Sequence, residues 1–373
     1  MEGIYYDEFT GSPDNKGFKS IRTLTDFELQ PLNIFIGANG AGKSNLLDFF
    51  RLLRNIVDGN LNDYIRNSGG ISDLLFNGRK VTPRMEFEAR FGPRGYRFQL
   101  EPSPLETAAL TGEARYYQHG ATGWWELGDS PDGKSLLVKE IESKSKESQY
   151  SRPVYNAIAS WQIYHFHDTS ANAPMRHYEI VQDHQQLRYN AANLAPYLLR
   201  LRTQAPAAYQ EILAAIRLVM PFFNDFLLMI EEFGEKRMVN LAWQQVGSDY
   251  PMQPYHLSDG SIRFICLATA LLQPQPPSAI IIDEPELGLH PYAIEILAEL
   301  LQTTATRTQV VVATQSPALV DHFRPEQIVV VNREQGASTF KRLDADNLAA
   351  WLQDYSLGEL WRKNVIAGGP VHE

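Results

Sequence analysis

The sequence predicts an α/β protein built on a parallel sheet, with an antiparallel β subdomain and an inserted helical lobe. Three observations predict it. Strand and helix patterns alternate from residue 261 to 332. A buried strand at 32–36 enters a glycine-rich turn and then a helix. Short strands with Gly and Pro turns crowd residues 85–137.

Taken in order, residues 18–36 alternate apolar and polar positions and end in Leu32-Asn33-Ile34-Phe35-Ile36, which reads as a hairpin whose second strand is buried. Leu46 to Leu53 carry apolar residues at helical spacing. The antiparallel region shows strands at 85–91, 96–100, 114–118 and 124–127. Residues 128–151 are polar and turn-rich and read as a solvated loop or a short exposed helix. A strand at 161–166 follows, then helix over roughly 192–230 and a strand at 238–246. The remainder alternates: helix 261–272, strand 279–283, helix 292–303, strand 309–313, helix 317–323, strand 327–332. No internal repeat or long heptad run interrupts this pattern.

Bulk composition narrows the class. The 373 residues are 44% hydrophobic and 21% charged, enough for a large core without covalent staples. A net charge of -10 argues against a surface basic throughout, without excluding nucleic acid. The single Cys266 lies in an apolar run and reads as a core thiol. The start, Met1-Glu2-Gly3-Ile4-Tyr5-Tyr6-Asp7-Glu8, lacks a signal-peptide pattern, and no apolar stretch approaches the ~18 residues of a membrane span. The expectation is a soluble, cytoplasmic protein.

The strongest local signal is Gly37-Ala38-Asn39-Gly40-Ala41-Gly42-Lys43-Ser44. It matches G-x-x-x-x-G-K-[ST] between a buried strand and an amphipathic helix, the context a phosphate-binding loop requires. Its glycines let backbone N–H groups converge on phosphate oxygens, and the following helix aims its positive end at them. Lys43 can bridge the β- and γ-phosphates and Ser44 can ligate Mg²⁺.

A second signal is Ala279-Ile280-Ile281-Ile282-Asp283-Glu284-Pro285. Branched residues suit a strand buried on both faces, and carboxylates at its C-terminal end lie where parallel sheets bind ligands. Asp283 is expected to hold Mg²⁺, directly or through water, and Glu284 to act as general base toward the attacking water. A third signal is Leu257-Ser258-Asp259-Gly260 ahead of an apolar helix. Alone it could be any Ser/Asp helix cap. A fourth is Thr314-Gln315-Ser316-Pro317 at the end of the 309–313 strand.

Together these residues resemble ABC-type ATPases of the RecF/SMC/OLD-like branch, close to stand-alone predicted ATPases of the AAA_21 type. Phe18-Lys19-Ser20, Lys43-Ser44-Asn45, Asp283-Glu284-Pro285-Glu286-Leu287-Gly288-Leu289-His290-Pro291 and Thr314-Gln315-Ser316-Pro317 carry the likeness. The resemblance implies an ABC-ATPase-like P-loop fold with ATP and Mg²⁺ as cofactors. It makes Gly37, Asn39, Gly40, Ala41, Gly42, Lys43, Ser44 and Asn45 the nucleotide loop. Leu257-Ser258-Asp259-Gly260 becomes a variant of the signature Leu-Ser-Gly-Gly, with Ser258 and Gly260 placed on the γ-phosphate of a partner subunit.

Gln315 stands where relatives usually carry a switch histidine. It can donate to phosphate or orient water but carries no proton at neutral pH, which bears on the hydrolysis rate. The resemblance also places a Mg²⁺-sensing residue after strand 161–166. No glutamine suits that place, leaving Asp168 or His167. A metal site of His165, His167 and His184 is the sharper alternative, but no fourth ligand at zinc-like spacing accompanies it. His290 is either a dimer contact or a solvated helix-start residue. Leu343-Asp344-Ala345-Asp346 reads as a helix cap rather than a nuclease acid pair.

The implied mechanism is a head-to-tail dimer, or a higher even oligomer, that clamps two ATP molecules and separates on hydrolysis. Domains are expected at 1–168 (β subdomain with the phosphate loop), 169–256 (helical lobe) and 257–373 (signature, Asp283-Glu284 strand and switch). The output would reach DNA or an effector, such as a separate Toprim-like nuclease in antiphage defence. Alternatives are a non-hydrolysing ATP-gated scaffold and a transporter ATPase subunit. Asn45, Gln315 and the long stretch between Lys43 and Leu257 disfavour the transporter.

Overall fold

The computed structural model describes residues 13–118, 123–366 and 368–369. The start read above, residues 1–8, lies outside them. In chain order the first elements are strands β1 (Pro13–Phe18), β2 (Ile21–Leu24) and β3 (Leu32–Ile36) and helices α1 (Lys43–Val57), α2 (Leu61–Asn67) and α3 (Ile71–Leu74). Next come β4 (Met85–Phe91), β5 (Arg94–Pro102), β6 (Ala108–Tyr117), β7 (Gly123–Ser130), α4 (Leu136–Glu142) and α5 (Ser148–Ala159). The middle holds β8 (Gln162–Tyr164), β9 (Glu179–Ile180), α6 (Leu194–Gln204) and α7 (Pro206–Val219). It continues with β10 (Phe223–Phe226), β11 (Ile230–Phe233), β12 (Lys236–Val239), β13 (Trp243–Gln245) and β14 (Pro251–Met252). The last third contains α8 (Asp259–Leu271), β15 (Ala279–Asp283), α9 (Pro291–Ala305), β16 (Gln309–Ala313) and α10 (Pro317–Val320). It ends with β17 (Ile328–Glu334), β18 (Ala337–Arg342), α11 (Ala345–Leu348) and α12 (Leu357–Arg362).

These elements form two compact units. The first comprises Met1–Trp161, Pro277–Ala279 and Arg324–Glu373. Its antiparallel sheet has the order β2-β1-β4-β5-β6-β7. Beside this sheet, β3 pairs in parallel with β17, which turns back into β18. All five residues of β3 are buried, so the strand is covered on both faces. Helix α1 buries an apolar stripe, and its Phe49 ring meets Phe18 at 5.4 Å and Phe87 at 5.3 Å. One aromatic cluster thus joins the helix after the glycine loop to the antiparallel sheet.

The second unit comprises Gln162–Pro276 and Ile280–Phe323. Strand β15 lies between β16 and β8 and pairs in parallel with β8. Helix α8 is buried from Ile262 to Leu271 and packs against α7 and α9. A helix apolar on all sides belongs in a core, and that pattern explains the sequence 262–272.

Several local expectations are corrected. The hairpin closes earlier than 32–36: β1 turns into β2 through Lys19, whose φ of 48° is left-handed, and β3 leaves for another sheet. The helical stretch stops at Val219, because Pro221 supplies no N–H to continue it, and β10 follows. The 128–151 stretch contains α4 and the start of α5. Of the two readings offered there, the short helix is the one found: Ser135 caps α4, and the buried Glu113 carboxylate accepts the N–H groups of Leu136 and Leu137 at 2.7 and 3.0 Å. The strand read at 238–246 is two strands in different sheets.

Candidate functional site

The phosphate-type loop lies in the first unit, between β3 and α1. Gly42 is the N-cap of α1 with φ 112°, a left-handed value that penalises any side chain. A Cβ there would overlap the hydroxyls of Ser338 and Ser20. No side chain caps α1 and no acidic residue occupies its first turn, so the positive helix end suits an anion. Lys43 is buried, and its Nζ donates to the carbonyls of Gly37 at 2.6 Å and Ala38 at 3.2 Å. Ser44 is exposed in the first turn, and Asn39 and Gly40 are exposed at the loop tip. These donors and this helix end fit a nucleotide triphosphate: Lys43 would exchange carbonyl acceptors for phosphate oxygens, and Ser44 would present its hydroxyl to Mg²⁺.

A chain of hydroxyls braces this loop from behind. Ser338 Oγ donates to Ala41 O at 2.6 Å, so the 2.6 Å contact with Ser20 has Ser20 as donor. Asn45 Nδ2 donates to Ser20 Oγ at 2.7 Å. Asn45, expected at the nucleotide, is engaged in this brace. Ser338 carried no signal in the sequence, whereas Ser20 stood in the Phe18-Lys19-Ser20 segment.

The carboxylates lie in the second unit. Asp283 ends β15 half-buried, and Glu284 follows with φ 43°. A left-handed glutamate costs about 1–2 kcal/mol, and such conformations concentrate at working sites. Glu284 N donates to Ala313 O at 2.8 Å, tying the end of β15 to β16. The Gln315 side-chain amide donates to Glu284 Oε1. The structure therefore brings Glu284 and Gln315 together. Beside them Glu286 Oε1 accepts from Thr314 Oγ1 at 2.6 Å and from Gln315 N at 3.2 Å. Burial pushes the Glu286 carboxyl up from its ordinary range.

His167 Nε2 is 3.1 Å from Asp283 O, while the exposed Asp168 carboxylate bonds the N–H and hydroxyl of Ser170. Those bonds hold the Asp168 carboxyl below its usual range. Of the two residues considered at that place, His167 is the one at the β15 strand end. His165 and His167 rings lie 4.0 Å apart, but no cluster of three metal-ligating side chains exists among the described residues.

Ser258 is the N-cap of α8, accepting from Ser261 N at 3.1 Å, and it is exposed. Gly260 packs so closely on Gly288 O that a Cβ would overlap it. Sequence reading passed over two arginines here, one that fixes this turn and one that ties α8 to neighbouring loops. Arg176 donates to Pro254 O at 2.7 Å, Leu257 O at 3.0 Å and Asp259 Oδ1 at 3.0 Å. The buried Arg263 donates to Phe166 O and His167 O, both at 2.9 Å, and to Leu287 O. A lone arginine inside the apolar 262–272 run was the available signal. His290 caps α9, its Nδ1 accepting from Tyr292 N at 3.3 Å. Asp344 caps α11, as its sequence context suggested.

Fold and loop define a protein of the P-loop ATPase class. Residues 32–321 match the family described as "AAA domain, putative AbiEii toxin, Type IV TA system" (AAA_21), and the chain belongs to that family. The fold is similar to an Smc head bound to the C-terminal winged-helix domain of ScpA. That match has TM-score 0.53 and 15% identity, covering 91% of this chain and 98% of that one. It is also similar to a Pyrococcus furiosus Smc head with an extended coiled coil bound to the ScpA C-terminal domain. There the TM-score is 0.50 and identity 17%, over 92% of this chain and 98% of that one. At such identities the likeness shows the fold alone. No curated protein matches the chain. Among the described residues, no helix is long and apolar enough to cross a membrane.

Proposed function

We propose that this chain binds ATP·Mg²⁺ and hydrolyses it slowly in a head-to-tail dimer. In this reading the Gly37 to Ser44 loop holds the phosphates, Ser44 and Asp283 hold Mg²⁺, and Glu284 polarises the attacking water while Gln315 orients it. Ser258 and Gly260 of one protomer lie on the γ-phosphate held by the other. The three segments 1–168, 169–256 and 257–373 serve as phosphate-loop part, lobe and signature–switch part. The reading rests on one observation above all: Glu284, in a left-handed backbone, is paired with the Gln315 amide at the ends of adjacent strands. Exposure of Ser258 on a turn fixed by Arg176 supports the dimeric arrangement, since a rigid helix end loses little entropy on meeting an anion.

The bound triphosphate acts as glue, so dimerisation is a population shift driven by nucleotide. The signal passes to DNA or to a separate effector, with a Toprim-like nuclease in antiphage defence as the expected case. That one similar Smc head binds a winged-helix domain supports a protein partner.

The Gln315–Glu284 bond also favours a second reading, a non-hydrolysing ATP-gated scaffold, because it occupies the base. Phosphate release and light scattering of wild type and Glu284→Gln in saturating ATP·Mg²⁺ decide between them. The ATPase reading expects turnover in wild type and a trapped dimer in the variant. No release from either, with ATP still dimerising both, establishes the scaffold. A monomeric Glu284→Gln protein overturns the clamp.

A further inference from the structure

Glu286 stands apart from the groups that would touch nucleotide, yet it organises one of them. Its Oε1 receives two donors from consecutive residues: the Thr314 hydroxyl at 2.6 Å and the Gln315 backbone N–H at 3.2 Å. The hydroxyl has no freedom to turn away. Thr314 is fully buried, and its Oγ1 already accepts from Ser316 N at 3.0 Å, so its proton is committed to Glu286. One carboxylate oxygen therefore fixes a hydroxyl and a main-chain N–H on either side of the 314–315 peptide. The Gln315 side chain leaves that fixed peptide and donates to Glu284 Oε1. Glu284 is tied to the same strand end through its N–H to Ala313 O at 2.8 Å. The other Glu286 oxygen is buried without a hydrogen-bond partner.

We propose that Glu286 is a positioning residue that sets the Gln315 amide on Glu284 by clamping the Thr314–Gln315 turn. Its two donors come from the protein itself. This inference rests on the ATPase reading for its kinetic consequence, whereas the clamp itself is independent of turnover.

The test uses the full chain and four variants: Glu286→Ala, Glu286→Gln, Gln315→Ala and the double variant Glu286→Ala/Gln315→Ala. Glu286→Ala is expected to lower kcat about tenfold with KM and ATP affinity within about twofold, because only orientation at the reacting water is lost. Glu286→Gln keeps an oxygen for both donors and is expected within about threefold of wild type. In the Gln315→Ala background, Glu286→Ala should cost nothing more, as expected when one residue acts only through the other. A second readout needs no turnover. In apo ¹⁵N-labelled protein, the Gln315 side-chain amide signals, assigned by their loss in Gln315→Ala, should move to the unstructured position in Glu286→Ala.

The inference is overturned if those signals stay in place, or if Glu286→Ala costs the same factor with and without Gln315. A wild type that releases no phosphate, while the amide signals move as expected, overturns hydrolysis and leaves the clamp standing.

Discussion

The phosphate-type loop of the first unit and the carboxylate loop of the second are built on opposite principles. The first is a backbone object. Glycines set its path, its donors are N–H groups and one lysine, and a hydroxyl chain through Ser338, Ser20 and Asn45 braces it. The second is a side-chain object. Glu284 is held left-handed, Gln315 is aimed by Glu286, and Arg263 gathers the carbonyls of Phe166, His167 and Leu287. A loop of backbone donors can be stiff before its ligand arrives. A loop of interlocked side chains can change state when one partner is displaced, a property suited to a switch.

The largest expected effect strikes the side-chain design. Arg263→Ala strands three carbonyls and should cost about 3–5 kcal/mol, lowering Tm by about 10 °C in calorimetry. A shift under a degree or two would mean that the carbonyls are held by something other than Arg263. Next, Lys43→Ala should weaken ATP binding by about 3 kcal/mol, roughly a hundredfold in Kd by titration calorimetry. Equal affinity in both proteins would show that backbone donors alone hold the phosphates.

Smaller still, Ser338→Ala removes the donor to Ala41 O and should raise Kd for ATP by about 1 kcal/mol, some fivefold, with kcat preserved. A change in kcat instead would place Ser338 in the chemistry. The smallest effect reports on the second unit's interior. Burial pushes the Cys266 thiol up to about 12. The folded chain thus holds this proton more tightly than the unfolded one, so the thiol's effect on stability is nil below pH ~9 and unfavourable as pH rises above it. At pH 8 a thiol reagent should label native wild type very slowly and label Arg263→Ala faster. Rapid labelling of the native protein would show α8 to be less enclosed than described.

Much of this was legible in the sequence, for identifiable reasons. The branched run 280–282 could only be a two-faced buried strand, and a glycine-rich turn between such a strand and an amphipathic helix has one common use. The same local logic misread the first hairpin, because Leu32 to Ile36 looks equally good as a hairpin arm or as a strand of another sheet. It left loop and short helix open over 128–151, because beside the local cap Ser135 the first turn of α4 is held by Glu113 of β6, more than twenty residues earlier. Asp168 and His167 were indistinguishable until the chain direction after β8 turned one toward Asp283 and the other toward Ser170.

By itself the sequence determined what is local: the glycine loop with Lys43 and Ser44, the Asp283-Glu284 strand end, and the capped apolar helix behind Ser258. These depend on backbone conformation and burial period, which neighbouring residues encode. Tertiary structure alone decided the partners: Ser338 beneath a loop 297 positions away in sequence, Arg263 on three carbonyls, and Glu286 on the Gln315 turn. A hydrogen-bonding side chain accepts many partners, and only the folding of distant strands onto one another selects which it meets.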